Sequence, residues 1–272
     1  MHFGLESAAA EFPDHPGVLA GDDIWTYAEL QRASNAAARH LALHGVGSGV
    51  RLAVMTSNRP EFVVMVHAAS MLGAVPVLLN PAWKALEVDT ALALTAPRFG
   101  VADGDGVTLL AERLGAENVL DLDADTARAA VDRRSDVEPL ERTAAPNDDA
   151  VFVFSSGTTD RPKAVRHTHH SIVLAVAHWR LALGLGHEDR FQVATPPSHI
   201  LGLLNLLTAA SAGATVRLHR RFDLDAELRA IQEDRMTLEM AVAPIALAMA
   251  NHPDLEAYDL SSLRYVMWAR RR

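Results

Sequence analysis

The chain has 272 residues, 49% of them hydrophobic and 22% charged, with 25 Lys+Arg against 34 Asp+Glu and a net charge of −9. That is the balance of a folded chain rather than a disordered one, and its acidity argues against nucleic acid as a partner, because phosphate backbones select basic faces. The sequence has no cysteine, which excludes a disulfide framework, a thiolate metal site and a cysteine nucleophile, and fits a cytoplasmic protein.

The start, MHFGLESAAAEFPDHPG, lacks the basic region and apolar stretch of a signal peptide. A short hairpin is expected around 18–25. Thr26 and Glu29 then form a capping box, opening a helix whose Leu30, Ala33, Ala37 and Leu41 make one apolar stripe and which ends at Gly45. Strands follow at 52–55, 75–79 and 99–102, with helices at 61–72 and 86–94 between them. Residues 104–147, rich in Asp, Arg and Ala, read as a surface helix and loop region joining two sheet systems, or as a solvated linker. The strong pattern resumes with a strand at 151–154, helices at 171–183, from 201, at 225–233 and at 244–251, and strands at 191–194, 215–218, 236–243 and 263–267. The apolar run 200–214 is broken by Gly202, Asn205 and Gly213 and is shorter than the ~18 residues of a membrane span, so it reads as a buried core helix. The mixed-charge stretch 217–233 reads as a solvated helix face and its lead-in. Strands alternating with helices predict an α/β fold with mostly parallel sheets.

The chemistry concentrates in Ser155-Ser156-Gly157-Thr158-Thr159-Asp160-Arg161-Pro162-Lys163. This segment follows an all-apolar strand, so it leaves the carboxyl edge of a sheet, where such folds bind ligands. Four hydroxyls and a glycine in five residues supply donors without bulk, Gly157 lets the backbone approach an anion, and Lys163 adds a point charge. Lys163 is one of only two lysines in the chain, the other being Lys84. The segment is not the common P-loop, since Pro162 precedes the lysine and Ala164 follows it. Gly-x-Ser-x-Gly is absent around Ser155 and Ser156, which removes a serine-hydrolase reading. His167, His169 and His170 have no carboxylate or cysteine to complete a metal set.

The loop resembles the phosphate-binding signature of the adenylate-forming (AMP-binding) superfamily, in particular acyl-CoA synthetases and 4-coumarate-CoA-ligase-like enzymes. Further likenesses run along the chain: Thr26–Leu30; Asn58-Arg59-Pro60-Glu61-Phe62; Gly73-Ala74-Val75 with Leu79-Asn80-Pro81; Pro196-Pro197-Ser198-His199-Ile200-Leu201-Gly202; and the segment 258–267. The resemblance implies the amino-terminal large domain of that fold, with one α/β subdomain at 1–147, a phosphate-loop subdomain at 148–267 and an aberrant tail at 268–272. It implies that Ser155, Ser156, Gly157, Thr158, Thr159 and Lys163 bind ATP phosphates and that His199 lies near the reacting groups. As a lone histidine between apolar residues, His199 would otherwise read as a satisfied core residue. ATP with Mg²⁺, CoA as co-substrate and a small carboxylic acid are the implied ligands. Asp160 and Ala164 stand where the family has glycine, and Asp160 puts a carboxylate beside a triphosphate.

The expected Gly-Ala-x-Pro turn is replaced by Ala269-Arg270-Arg271-Arg272, as loss of one base in a GC-rich gene would produce. The family's Mg²⁺-holding Thr-Glu, ribose-binding Asp and catalytic lysine are not found in the 272 residues. The expectation is therefore a truncated acyl- or aryl-CoA ligase of weak or no activity, prone to aggregate at its last strand. The alternative is a non-catalytic nucleotide- or acyl-binding remnant.

Overall fold

The structure, a computed structural model, describes residues 1–140, 144–155, 162–193 and 195–267. In chain order the elements are α1 (Phe3–Glu11), β1 (Pro16–Ala20), β2 (Asp23–Thr26), α2 (Tyr27–Leu43), β3 (Arg51–Met55), α3 (Pro60–Met71), β4 (Val75–Leu78), α4 (Ala85–Thr95), β5 (Phe99–Ala102), α5 (Asp105–Leu114), β6 (Val119–Asp121) and α6 (Ala127–Ala130). Then come β7 (Asp149–Ser155), β8 (Lys163–Thr168), α7 (His169–Leu183), β9 (Arg190–Val193), α8 (Ile200–Ala212), β10 (Thr215–Leu218), α9 (Leu224–Glu233), β11 (Leu238–Met240), α10 (Ala243–Ala250) and β12 (Tyr265–Met267).

The strands form two six-stranded sheets, ordered β6-β5-β3-β4-β7-β8 and β12-β11-β9-β10-β1-β2. In each, four pairings are parallel and one antiparallel hairpin closes an edge, β7–β8 in the first and β1–β2 in the second. Successive side chains of a strand serve opposite faces. In β3, Leu52 and Val54 enter the central core with α2, α3 and α8, while Ala53 and Met55 enter an outer core with Val88 of α4 and Leu110 of α5. The second sheet gives Phe191, Val193 and Val216 to the same central core, and its other face packs on Leu228 and Ile231 of α9 and Ile245 of α10. The result is five layers, helices–sheet–helices–sheet–helices. Helix α3 sits in the middle layer and is buried along nearly its whole length, which is why its sequence shows no amphipathic stripe.

The α2 capping box forms as expected: Glu29 N–H donates to Thr26 Oγ1 at 3.2 Å and Thr26 N–H to Glu29 Oε2 at 2.9 Å. Leu30, Ala33, Ala37 and Leu41 are all buried. The run 200–214 contains the mostly buried α8, and no helix among the described residues is long and apolar enough to cross a membrane.

Three expectations need correction. Residues 104–147 do not join two sheets: β6 pairs with β5, and β7 returns to the same sheet beside β4. The sheets therefore interleave across the 147/148 boundary, since β1 and β2 pair with strands from the far end of the sequence. The stretch 217–233 is solvated only in part: Arg220, Arg221, Asp223, Asp225, Arg229 and Glu233 are exposed, whereas Glu227 is fully buried and Arg217 is ion-paired to Asp234. Strand β8 was expected to be loop; its polar sequence is that of an edge strand, held by Arg166 bidentate to Asp149 at 2.9 and 3.1 Å. Helix α1 carries no periodic signal, yet buries Leu5 and Ala8.

Candidate active site

The β7–β8 hairpin fixes the two ends of the hydroxyl-rich loop. Its register pairs Phe154 with Ala164 and Ser155 with Lys163, so the first hydroxyl of the loop and its only lysine lie opposite each other on neighbouring strands, both exposed. The guanidinium groups of Arg51 and Arg166 sit 6.0 and 5.8 Å from the Phe152 ring, securing the base of the hairpin. Ser156, Gly157, Thr158, Thr159, Asp160 and Arg161 lie outside the described residues.

Ser155 and Pro162 border a cavity of about 520 Å³. Its wall from the first sheet includes Leu78, Asn80, Trp83 and Phe154; from the second come Thr195, Pro196, Ser198, His199 and Val242. The loop after β4 is shaped by Asn80, whose Oδ1 accepts Ala82 N–H at 2.9 Å and whose carbonyl accepts Trp83 N–H at 3.0 Å. That turn sets the Trp83 ring edge-on to Phe154, centroids 5.1 Å apart at 74°. The cavity is thus apolar at Trp83 and Phe154 and polar where the loop ends and His199 meet it.

His199 is exposed and caps α8. Its N–H donates to Pro196 O at 2.9 Å, and its Nδ1 accepts Leu201 N–H at 3.2 Å. A neutral ring that accepts at Nδ1 carries its proton on Nε2, which leaves Nε2 as a donor toward a ligand. It is not a core histidine. Gly202 is needed one turn on: a Cβ there would lie 2.4 Å from Pro196 O and 2.9 Å from Pro197 Cα. Pro196, His199 and Gly202 therefore form one device, a turn carbonyl that caps the helix and a helix that can only approach it through a glycine.

Arg59 of the Asn-Arg-Pro-Glu-Phe segment is structural. It bonds Glu61 at 2.8 and 3.2 Å and Asp123 at 2.8 Å, while Asp103 accepts Ser57 N–H at 3.0 Å. The Arg59 hydrogen bond holds the Asp123 carboxyl below its usual range, and Arg59 itself is pushed up by these partners against the opposing effect of burial. Of the three histidines weighed as ligands, His169 is buried with Nδ1 3.2 Å from the Met1 amine. Among the described residues no three His, Asp or Glu side chains converge as a metal group. The hydroxyl-and-lysine donor set fits a polyphosphate, to which Mg²⁺ would come bound.

Trp83, Phe154, Thr195 and Val242 were not anticipated at the site. The Asn80-Pro81 pair two residues before Trp83 was the nearest signal.

Residues 5–271 match the sequence profile of the AMP-binding enzyme family. The chain is 35% identical over 302 residues to 4-coumarate–CoA ligase 2 of Oryza sativa subsp. japonica, covering 98% of this chain and 52% of that protein. Among solved structures it is similar to the N-terminal domain of FACL13 from Mycobacterium tuberculosis, with TM-score 0.89, 24% identity, and 98% and 69% of the two chains covered. It is similar also to o-succinylbenzoate CoA synthetase from Bacillus subtilis in complex with its acyl-adenylate intermediate, with TM-score 0.84, 28% identity, and 98% and 53% covered. The chain spans about half the length of the curated relatives it matches. With two mostly parallel sheets that match the N-terminal domain of adenylate-forming enzymes and a family match over nearly all its residues, this chain belongs to the AMP-binding enzyme family.

Proposed function

We propose that this chain carries the ATP- and acyl-binding part of a carboxylic acid–CoA ligase. The observation that supports it best is the single cavity that gathers Ser155 and Pro162, the two ends of the hydroxyl-rich loop, with His199 and the Trp83–Phe154 apolar wall. In the reaction, a carboxylate oxygen attacks the α-phosphorus of ATP in line, the bond to pyrophosphate breaks, and an acyl-adenylate forms. The CoA thiol then attacks the acyl carbon and AMP leaves. Catalysis of the first step rests on positioning and charge neutralisation. In this reading the hydroxyls and backbone of residues 155–159 and the Lys163 ammonium hold the phosphates, His199 donates from Nε2 to a carboxylate or phosphate oxygen, and Trp83 and Phe154 cover the acyl or aryl body. Mg²⁺ bound to ATP supplies further neutralisation of phosphate charge. The lack of cysteine and the use of ATP and CoA favour a cytoplasmic setting.

We propose that these 272 residues taken by themselves bind ATP with little turnover. Calorimetry with Mg·ATP and ATP–pyrophosphate exchange with a panel of aryl and fatty acids test both halves. Saturable ATP binding that is weakened in Lys163→Ala, with slow exchange, is the expected result. Absence of ATP binding by the folded chain would overturn the reading, and rapid exchange would overturn the proposed weakness. Binding without any exchange would favour a nucleotide-binding remnant, a reading that Asp160 beside the phosphates supports.

A further inference from the structure

The outer face of the second sheet carries an unusual row. Backbone register aligns Leu19, Arg217, Gln192, Glu239 and Val266 across five adjacent strands. Side chains at aligned positions share a face about 4.8 Å apart, so three polar groups stand side by side under α9. Glu239 and Glu227 of α9 are fully buried; among the described residues no well-aligned hydrogen-bond donor meets their four carboxylate oxygens, although the Gln192 amide beside Glu239 still favours its charged form. Gln192 links the elements: its Nε2 donates to Glu227 O at 3.4 Å, and its Oε1 lies 3.1 Å from His219 Nε2.

Among the described residues no cation is paired with the two acids. Arg217 is paired with Asp234 and donates to Gly21 O. His219 is pulled down to about 4 by burial and by Arg217, with Asp234 and Asp223 opposing, so it is neutral across the physiological range. Asp223, the N-cap of α9, repels Glu227, while Asp225, Arg229 and Glu233 of the same helix are exposed. Two buried carboxylates without a paired cation among the described residues carry a large desolvation cost, and the neutral acid is the form such a site accepts. Burial, with Asp223 adding, pushes Glu227 up to about 8. Burial and the neighbouring Glu227 hold Glu239 well above the usual range, against Gln192.

We propose that Glu227 and Glu239 are positioning residues, held uncharged beneath the candidate site, and that ionising them displaces the ends of β9 and β11 that carry its second wall. Gln192 lies three residues before Thr195 and Glu239 three before Val242, and both of those residues line the cavity. A chain advances at most ~3.3 Å per residue, so Glu239 sits within roughly 10 Å of the wall residue Val242. The sign follows from linkage. The folded chain holds these protons more tightly than the unfolded one, so stability falls as pH rises from the ordinary carboxylate range toward 8. This inference rests on the proposed function only for the site it would displace.

The test uses the whole chain and the Glu227→Gln/Glu239→Gln double variant, with Glu239→Leu as the second variant should the first not fold. Infrared spectra are to show a protonated carboxyl band at pH 7 in the parent that the double variant lacks. Hydrogen exchange of residues 195–203, taken relative to 60–71 to cancel intrinsic pH dependence, is to quicken at least fivefold from pH 7 to 9 in the parent. In the double variant the change is to stay below twofold. Mg·ATP affinity is to fall at least fivefold over that range in the parent only. A parent without the protonated band, or a double variant whose exchange follows the parent, would overturn the proposal. Should neither chain bind ATP, the functional reading fails, while the band and the exchange ratio still decide this one.

Discussion

The two sheets close one edge the same way and use it differently. In the second sheet, β1 turns into β2 through Gly21 and Asp22, with positive φ at Gly21 alone, the signature of a tight II′ hairpin. In the first, β7 and β8 pair with the same antiparallel logic and the same irregularity at the opening residue, but residues 156–162 separate the strands. One hairpin spends its turn on register and passes straight into the Thr26 capping box. The other holds Ser155 opposite Lys163 at the two ends of a longer connection, with Ser155 and Pro162 at the cavity, while its strands keep the ladder intact. A longer connection can thus be inserted where the ladder is already closed below it.

Substitutions separate the two roles. The largest effect is expected where the open hairpin's cavity is braced from the other sheet. Gly202→Ala forces a Cβ against Pro196 O and should cost about 3 kcal/mol of stability, as overpacked sites do, with urea unfolding as the measurement. Next, Lys163→Ala removes an exposed ammonium at the loop's end. It should weaken Mg·ATP by ten- to thirtyfold, roughly 1.5–2 kcal/mol for a charge-assisted contact, with an unchanged unfolding midpoint. In the tight hairpin the pattern inverts: Thr26→Ala deletes the cap seen in the structure and should cost ~1 kcal/mol of stability, leaving ATP affinity as it was. The smallest change is a gain. Asp160→Gly removes a carboxylate from the hydroxyl-rich segment and, on the proposed function, should tighten Mg·ATP about threefold at low salt, the gain shrinking as salt screens it. If Lys163→Ala lowered stability as much as Thr26→Ala, the two hairpins would not differ in kind.

Much of this architecture was readable from residue order. The β5 and β10 strands fall at the expected residues, and the other parallel strands except β6 begin and end within a few residues of theirs, because apolar runs between turn residues have few alternatives. The edges were not readable. Lys163–Thr168 has the composition of a loop because an edge strand facing water has no need of apolar side chains, and Val119–Asp121 is only three residues long. The loop's chemistry was legible in its hydroxyls, but its pairing of Ser155 with Lys163 required the hairpin. Glu227 was hidden by its setting, since a glutamate in a helix beside Asp225, Arg229 and Glu233 reads as solvated. Glu239 had a trace of signal: it lies between Leu238 and Met240 in a strand buried on both faces, where a carboxylate has no ordinary place.

The pairing of β1 with β10, Val18 against Val216, also sets an order of events during synthesis. The first sheet draws its strands from residues 51–168, so it can assemble while the rest of the chain is still being made. The amino-terminal hairpin has no sheet to join until about 200 further residues have been translated, a wait of roughly 10–40 s at ordinary elongation rates. During that interval the hairpin edge that β10 will cover stays open, and it is the part of the newborn chain most exposed to pairing with another strand.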